Sequence, residues 1–196
     1  PSELTFLPDV AEQVSSVLDV GCACGGFSAI INSFNPQAAY TGADIIPEML
    51  ELARTAHPES TFVNAAGHAL PFQDQSFELT HCSGAVHLNS DYTHMISEMW
   101  RVSSKYALFD LRLTNGPSLT GSFMVDFEGT GKGGVLPYSL VNLDEAKKII
   151  NTLPTPPVSV NLAGYYHPAS QNVDFPEGTE ILMAFLLLER RKTPVS

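Results

Sequence analysis

Val17-Leu18-Asp19-Val20-Gly21-Cys22-Ala23-Cys24-Gly25-Gly26 is the stretch on which the fold reading turns. A brief apolar run is stopped by a glycine, and a glycine pair precedes the segment Phe27-Ser28-Ala29-Ile30-Ile31. The run bounded by glycine reads as a buried strand, and the segment after it as a helix. Gly21 lets the chain turn sharply. A small residue at 23 lets backbone N–H groups approach a ligand, and Gly25 permits close packing of the helix. In an open parallel sheet this turn lies at the carboxyl end of the first strand, where ligands bind.

Outward from the turn, the same alternation repeats. Ala39 to Asp44 reads as a second strand, and Pro47 opens a helix that runs to Ala56 before Pro58. Thr61 to Val63, Phe77 to Cys82 and Tyr106 to Leu111 read as strands. Between the last two, Asp91 to Val102 reads as a helix with Met95, Ile96, Met99 and Val102 on one face. Pro8 to Ser15 reads as a short leading helix. Strands alternating with helices at this spacing imply an α/β fold with a mostly parallel sheet covered on both faces. The pattern breaks between residues 114 and 141, a stretch with six of the fourteen glycines, which reads as an inserted loop or lid region with room for short strands. Asn142 and Glu145 then form a capping-box pattern for a helix to Asn151. Val158 to Ala163 and Ile181 to Leu188 read as the last strands. Their connection, 164–179, carries no helix signal, so the pair is expected to be antiparallel.

Composition excludes several classes. At 196 residues and 44% hydrophobic content the chain is the size of one domain and can bury its own core. Ten Lys+Arg against 21 Asp+Glu leave a net charge of −11, which disfavours a nucleic-acid partner. The longest apolar run, Ile181 to Leu188, is eight residues, too short to cross a bilayer. No retained signal peptide is expected. Three cysteines cannot form a disulfide scaffold, so a reducing, cytoplasmic setting is expected. Cys22 and Cys24 form a C-x-C pair with no second pair to complete a tetrahedral site, so no metal is expected. Gly129-Thr130-Gly131-Lys132-Gly133-Gly134 fails the phosphate-loop template. Asp126 stands where a glycine is needed, and Gly133 follows the lysine where Ser or Thr belongs.

Asp44 ends the second strand twenty-three residues after Gly21. A carboxylate there can accept hydrogen bonds from both hydroxyls of a ribose, and with the glycine turn it makes a nucleoside-binding pattern. Asp19 is expected to fix the glycine loop by accepting backbone N–H bonds.

Four ordered segments resemble the class I S-adenosylmethionine-dependent methyltransferases of the small-molecule type. Val17 to Gly25 resembles that family's first motif, and Gly42-Ala43-Asp44-Ile45-Ile46-Pro47-Glu48-Met49-Leu50-Glu51-Leu52-Ala53-Arg54 its second. Ala69-Leu70-Pro71-Phe72 with Ser76-Phe77-Glu78-Leu79 resembles the loop and strand after the adenine pocket. Glu98-Met99-Trp100-Arg101-Val102 resembles the helix before the fifth strand. The likeness runs from about Val17 to Leu111, and Asn142 to Leu188 fits the family's last helix and strand pair. It implies a Rossmann-like, doubly wound, seven-stranded sheet with a C-terminal antiparallel pair, in one methyltransferase domain over 1–196. Substrate loops are expected at about 114–141 and 164–179.

The resemblance further implies S-adenosyl-L-methionine as cofactor, S-adenosyl-L-homocysteine as product, and a small-molecule methyl acceptor. The cofactor residues it implies are Asp19, Gly21, Cys22, Ala23, Gly25, Asp44, Ile45, Gly67, His68, Cys82 and Ser83. The family's middle glycine is Ala23 here, a change that is costly only at positive φ. The usual acid near position 66 is absent from Ala65-Ala66-Gly67-His68, so backbone groups or His68 are expected to hold adenine. His87 follows the fourth strand and is the candidate catalytic base, expected without a visible partner acid. Tyr138, Tyr165, Tyr166 and His167 are candidates for the acceptor pocket. Two other readings stand beside this one: a non-catalytic cofactor- or partner-binding domain of the same fold, and a nicotinamide-dependent oxidoreductase.

Overall fold

In the computed structural model, which describes residues 2–126, 133–169 and 173–191, strands and helices alternate from the start of the chain. A 3-10 turn at Ser2–Thr5 leads into α1 (Leu7–Ala11), β1 (Ser16–Val20), α2 (Gly26–Phe34), β2 (Ala39–Asp44), α3 (Pro47–Ala56) and β3 (Thr61–Asn64). Next come β4 (Phe77–Cys82), a 3-10 turn at Val86–Leu88, α4 (Tyr92–Val102), β5 (Ser103–Thr114), β6 (Leu119–Asp126) and β7 (Gly133–Asn142). The chain then forms α5 (Leu143–Asn151), β8 (Ser159–Pro168) and β9 (Glu180–Glu189).

Seven strands lie side by side in the order β3-β2-β1-β4-β5-β9-β8. The first five are parallel, β9 runs antiparallel to β5, and β8 antiparallel to β9. This is the expected sheet with its antiparallel final pair. β1 shows why a glycine-bounded apolar run makes a central strand: Val17, Leu18 and Val20 are buried, with helices over both faces. On one face α4 and α5 pack Met99, Trp100 and Ile150 against Leu18, Phe109 and Leu186. On the other, α1, α2 and α3 pack Leu7, Ile31 and Leu50 against Val17, Leu79 and Leu108. α1 is shorter than the expected 8–15 helix. It ends at Ala11, where Asn35 Nδ2 donates to the carbonyls of Ala11 at 3.1 Å and Val14 at 2.8 Å.

Two departures from the sequence reading concern the connections. The stretch 114–141 is built on a hairpin, β6 against β7, which meets the sheet through Leu113↔Val141 and Thr114↔Asn142. Its glycines hid the strand periodicity; Gly129 to Lys132 lie outside the described residues. Residues 164–168, expected in a connection, continue β8 and pair with β9 from Ala184 to Glu180. Asn142 caps α5 as its spacing predicts, accepting the N–H groups of Asp144 at 2.9 Å and Glu145 at 3.3 Å. The reciprocal arm differs. Ser118 Oγ takes the N–H of Asn142 at 2.8 Å and donates to the Glu145 carboxylate.

Candidate functional site

The carboxyl ends of β1 to β4 open on a cleft of about 450 Å³. Gly21 and Asp44 contribute from β1 and β2, Gly67 and His68 from the chain after β3, and Ala85 and Asn89 from the chain after β4. Leu136 and Pro137 of the hairpin, within the stretch 114–141 expected to supply a substrate loop, also line it.

The turn after β1 is set by three left-handed residues: Gly21 at φ +76°, Ala23 at +46° and Gly25 at +77°. A Cβ on Gly21 would stand 2.6 Å from that of Ala85, so the cleft wall has room only for glycine there. Ala23 tolerates a conformation that costs L-residues roughly 1–2 kcal/mol. Part of the compensation is visible: its N–H donates to Asp44 Oδ2 at 2.9 Å. Asp44 Oδ1 accepts the N–H of Ile46, also at 2.9 Å. Each oxygen is thus aimed by one backbone bond. A carboxylate has about four lone-pair sites, so two remain for ligand hydroxyls.

Asp19 plays a different part from the one its position suggested. Its carboxylate is buried, accepts the hydroxyl of Tyr40 at 2.6 Å and pairs with His81 Nδ1 at 2.8 Å. It ties β1 to side chains of β2 and β4, because its strand position faces the α1–α3 side, and accepts no loop amide. Cys22 fills the space beside Gly42, and burial pushes its thiol well up. Cys82 is fully buried and shifted the same way. Cys24 is exposed with Sγ 3.4 Å from Met49 Sδ. Ser83 Oγ donates to Glu3 Oε2 at 3.0 Å. Of the eleven cofactor candidates, Gly21, Asp44, Ile45, Gly67 and His68 line the cleft. Asp19, Cys22, Ala23, Gly25, Cys82 and Ser83 are not among the residues that line it. No group of three or more His, Cys, Asp or Glu able to hold a metal occurs among the described residues.

His87 lies behind the cleft wall. It is 5% exposed, and its ring meets Tyr138 edge-on at 4.8 Å. Its Nδ1 has no hydrogen-bond partner and stands 3.8 Å from Asp110 Oδ2. Asp110, a partner acid not foreseen from the sequence, ends no strand but sits inside β5. It accepts the Gly84 N–H at 2.7 Å and is paired with Arg112. Burial, with help from Arg112, pushes His87 down to about 4. Tyr138, on β7 of the hairpin, is buried. Tyr166 and His167 line a separate hollow of about 730 Å³ beside Phe175, and Tyr165 is exposed on β8 outside that wall. The four acceptor candidates are therefore not gathered in one place. Phe175 links them in part, since its ring lies 5.6 Å from that of Tyr138.

Residues 17–105 match the protein family described as a methyltransferase domain. The chain is 33% identical to demethylmenaquinone methyltransferase of Deinococcus radiodurans over 97 residues, covering 47% of this chain and 40% of the relative. Two solved structures share the fold over nearly all of the chain. An S-adenosylmethionine-dependent methyltransferase of Methanosarcina mazei has a TM-score of 0.64 at 17% identity, covering 89% of this chain and 92% of that one. The N-terminal domain of EvdMO1, crystallised with S-adenosylhomocysteine and D-fucose, has a TM-score of 0.70 at 11% identity, covering 96% and 81%. The fold is that of the class I methyltransferases. The chain spans 37–40% of the length of the first curated relatives it matches.

In this fold Asp44 is preoriented at the end of β2 by two backbone N–H groups, and Gly21 has no room for a side chain beside Ala85. No helix among the described residues is long and apolar enough to cross a membrane.

Proposed function

We propose that this methyltransferase domain binds S-adenosylmethionine in the 450 Å³ cleft and transfers its methyl group to a small-molecule acceptor. The observation that carries this reading is Asp44, held by two backbone N–H groups with its remaining acceptor sites in the cleft. Asp44 binds the ribose hydroxyls. Gly67 and His68 flank the adenine, whose amino group meets backbone or imidazole in place of the absent acid. Gly21 lets the chain approach closely, and Leu136 with Pro137 excludes water.

S-adenosylmethionine supplies a methyl carbon already activated by its sulfonium. The protein's task is therefore to align the acceptor rather than to generate a strong electrophile. His87 is neutral at neutral pH and has an unpaired Nδ1. It acts as base only for an acceptor that displaces Tyr138 from its ring. The small-molecule acceptor is supported by the relative from Deinococcus radiodurans, whose named acceptor is demethylmenaquinone.

Calorimetry with S-adenosylhomocysteine and with NAD tests the cofactor. Binding of the first and not the second is expected, and the reverse would overturn the reading in favour of a nicotinamide enzyme. Incubation with labelled methyl donor and a panel of small hydroxy, amino and thiol compounds then tests transfer. Tight cofactor binding with no transfer to any of them would favour a non-catalytic domain.

A further inference from the structure

Between β3 and β4 the chain passes through residues 65–76 without helix or strand, yet residues 65–68 form part of the cleft wall. Irregular backbone must find hydrogen-bond partners outside itself. Here they lie on one face of α4, where Met95, Glu98 and Arg101 stand at three-residue steps.

Met95 lies beside Gly67: a Cβ there would come within 3.0 Å of its Sδ. Glu98 Oε2 accepts the N–H of Leu70 at 2.9 Å. Arg101 Nη2 donates to the Leu70 carbonyl at 3.0 Å, and Nη1 donates to the Phe72 carbonyl and to Asp74 Oδ1, both at 2.8 Å. Its Nε and Nη2 also grip Glu98 side-on at 2.6 and 2.8 Å. The carbonyl of Arg101 itself takes the N–H of Gln75 at 2.9 Å. Pro71, which has no N–H to satisfy, sits at the centre of the clamp. The segments Ala69–Phe72 and Glu98–Val102, separate motifs in the sequence, are two halves of one device.

We propose that Glu98 and Arg101 are positioning residues for the cofactor, holding residues 65–75 so that Ala66, Gly67 and His68 meet the adenine in fixed geometry. The inference rests on the cofactor reading above. Neither side chain lines the cleft, so their effect passes through the loop. A planar guanidinium can bond two carbonyls and two carboxylates at once; an ammonium cannot reproduce that fork.

The test compares the unaltered chain with Arg101→Gln, Arg101→Lys and Glu98→Gln. S-adenosylhomocysteine and adenosine serve as calorimetric probes, and hydrogen exchange follows residues 65–75. Arg101→Gln should raise the Kd for both probes about tenfold or more and by equal factors, because the defect lies at the adenine end. Exchange within 65–75 should rise, and Arg101→Lys should recover part of the affinity. Glu98→Gln keeps the shape of the side chain, so it carries the test if Arg101→Gln does not fold. Folded Arg101→Gln and Glu98→Gln chains with unchanged Kd for both probes would overturn the proposal. An unaltered chain that binds neither probe overturns the cofactor reading and this inference together. That result precedes any variant and is distinct from the other failure.

Discussion

Asp44 Oδ2 accepts the backbone N–H of Ala23 across 2.9 Å, joining the end of one strand to the glycine turn of its neighbour. The bond links the two sequence features from which nucleoside binding was read, at a carboxylate that also lines the cleft. Asp44→Ala should weaken S-adenosylhomocysteine binding by about 1–3 kcal/mol, the scale of lost charge-assisted hydrogen bonds. Calorimetry on a folded variant checks this, and an unchanged affinity would remove Asp44 from the site.

Ala23→Gly should be a stabilising change. At φ +46° alanine carries left-handed strain that glycine does not. Glycine's greater freedom in the unfolded chain offsets part of the gain. The net expectation is about 0.5–1 kcal/mol, or a rise in Tm of about 1–3 °C for a chain of this size. A fall in Tm by calorimetric scanning would contradict it.

Gly21→Val should do the opposite. The left-handed φ and the 2.6 Å approach to Ala85 Cβ together predict a loss of about 3 kcal/mol and of cofactor binding. Cys24→Ser, at an exposed thiol against Met49, should leave both within error. Urea unfolding of the two variants side by side separates a conformational demand of the turn from general fragility.

His87 predicts a pH dependence. Its folded value of about 4 lies below the ordinary 6.5, so between them the unfolded chain binds a proton that the folded chain excludes. Stability therefore falls as pH drops from about 6.5 to about 4 and levels off below. At about 1.4 kcal/mol per tenfold change in proton affinity, the fall is about 3 kcal/mol. His87→Asn should flatten that limb. Urea midpoints at pH 7 and pH 4.5 measure it, and an equal slope in the variant would assign the effect elsewhere.

Most of the sheet was legible because apolar runs, glycines and prolines mark its edges plainly. Val17 to Val20, Pro47 and the Asn142 cap all stand where spacing put them. The hairpin was legible only as a loop with room for short strands, since Gly121, Gly133 and Gly134 interrupt the apolar–polar alternation that marks a strand. Within the site, Asp44 and Gly21 were readable because each satisfies a backbone or ligand demand local to its own strand end. Asp19 was misread for the converse reason: its partners Tyr40 and His81 are remote in sequence, and only register brings them together. Asp110 beside His87 depends in the same way on a contact between distant segments.

Among the described residues the hairpin pairs with the sheet at Leu113↔Val141 and Thr114↔Asn142, and it supplies Leu136 and Pro137 to the cleft. The pairs that hold β1, β2, β3 and β4 together lie wholly outside it. An insert attached by so narrow a seam can change length or side chains without redrawing the nucleoside half. The architecture thus has two parts built to different tolerances: a frame locked by strand pairing along its length, and a roof joined to the end of β5.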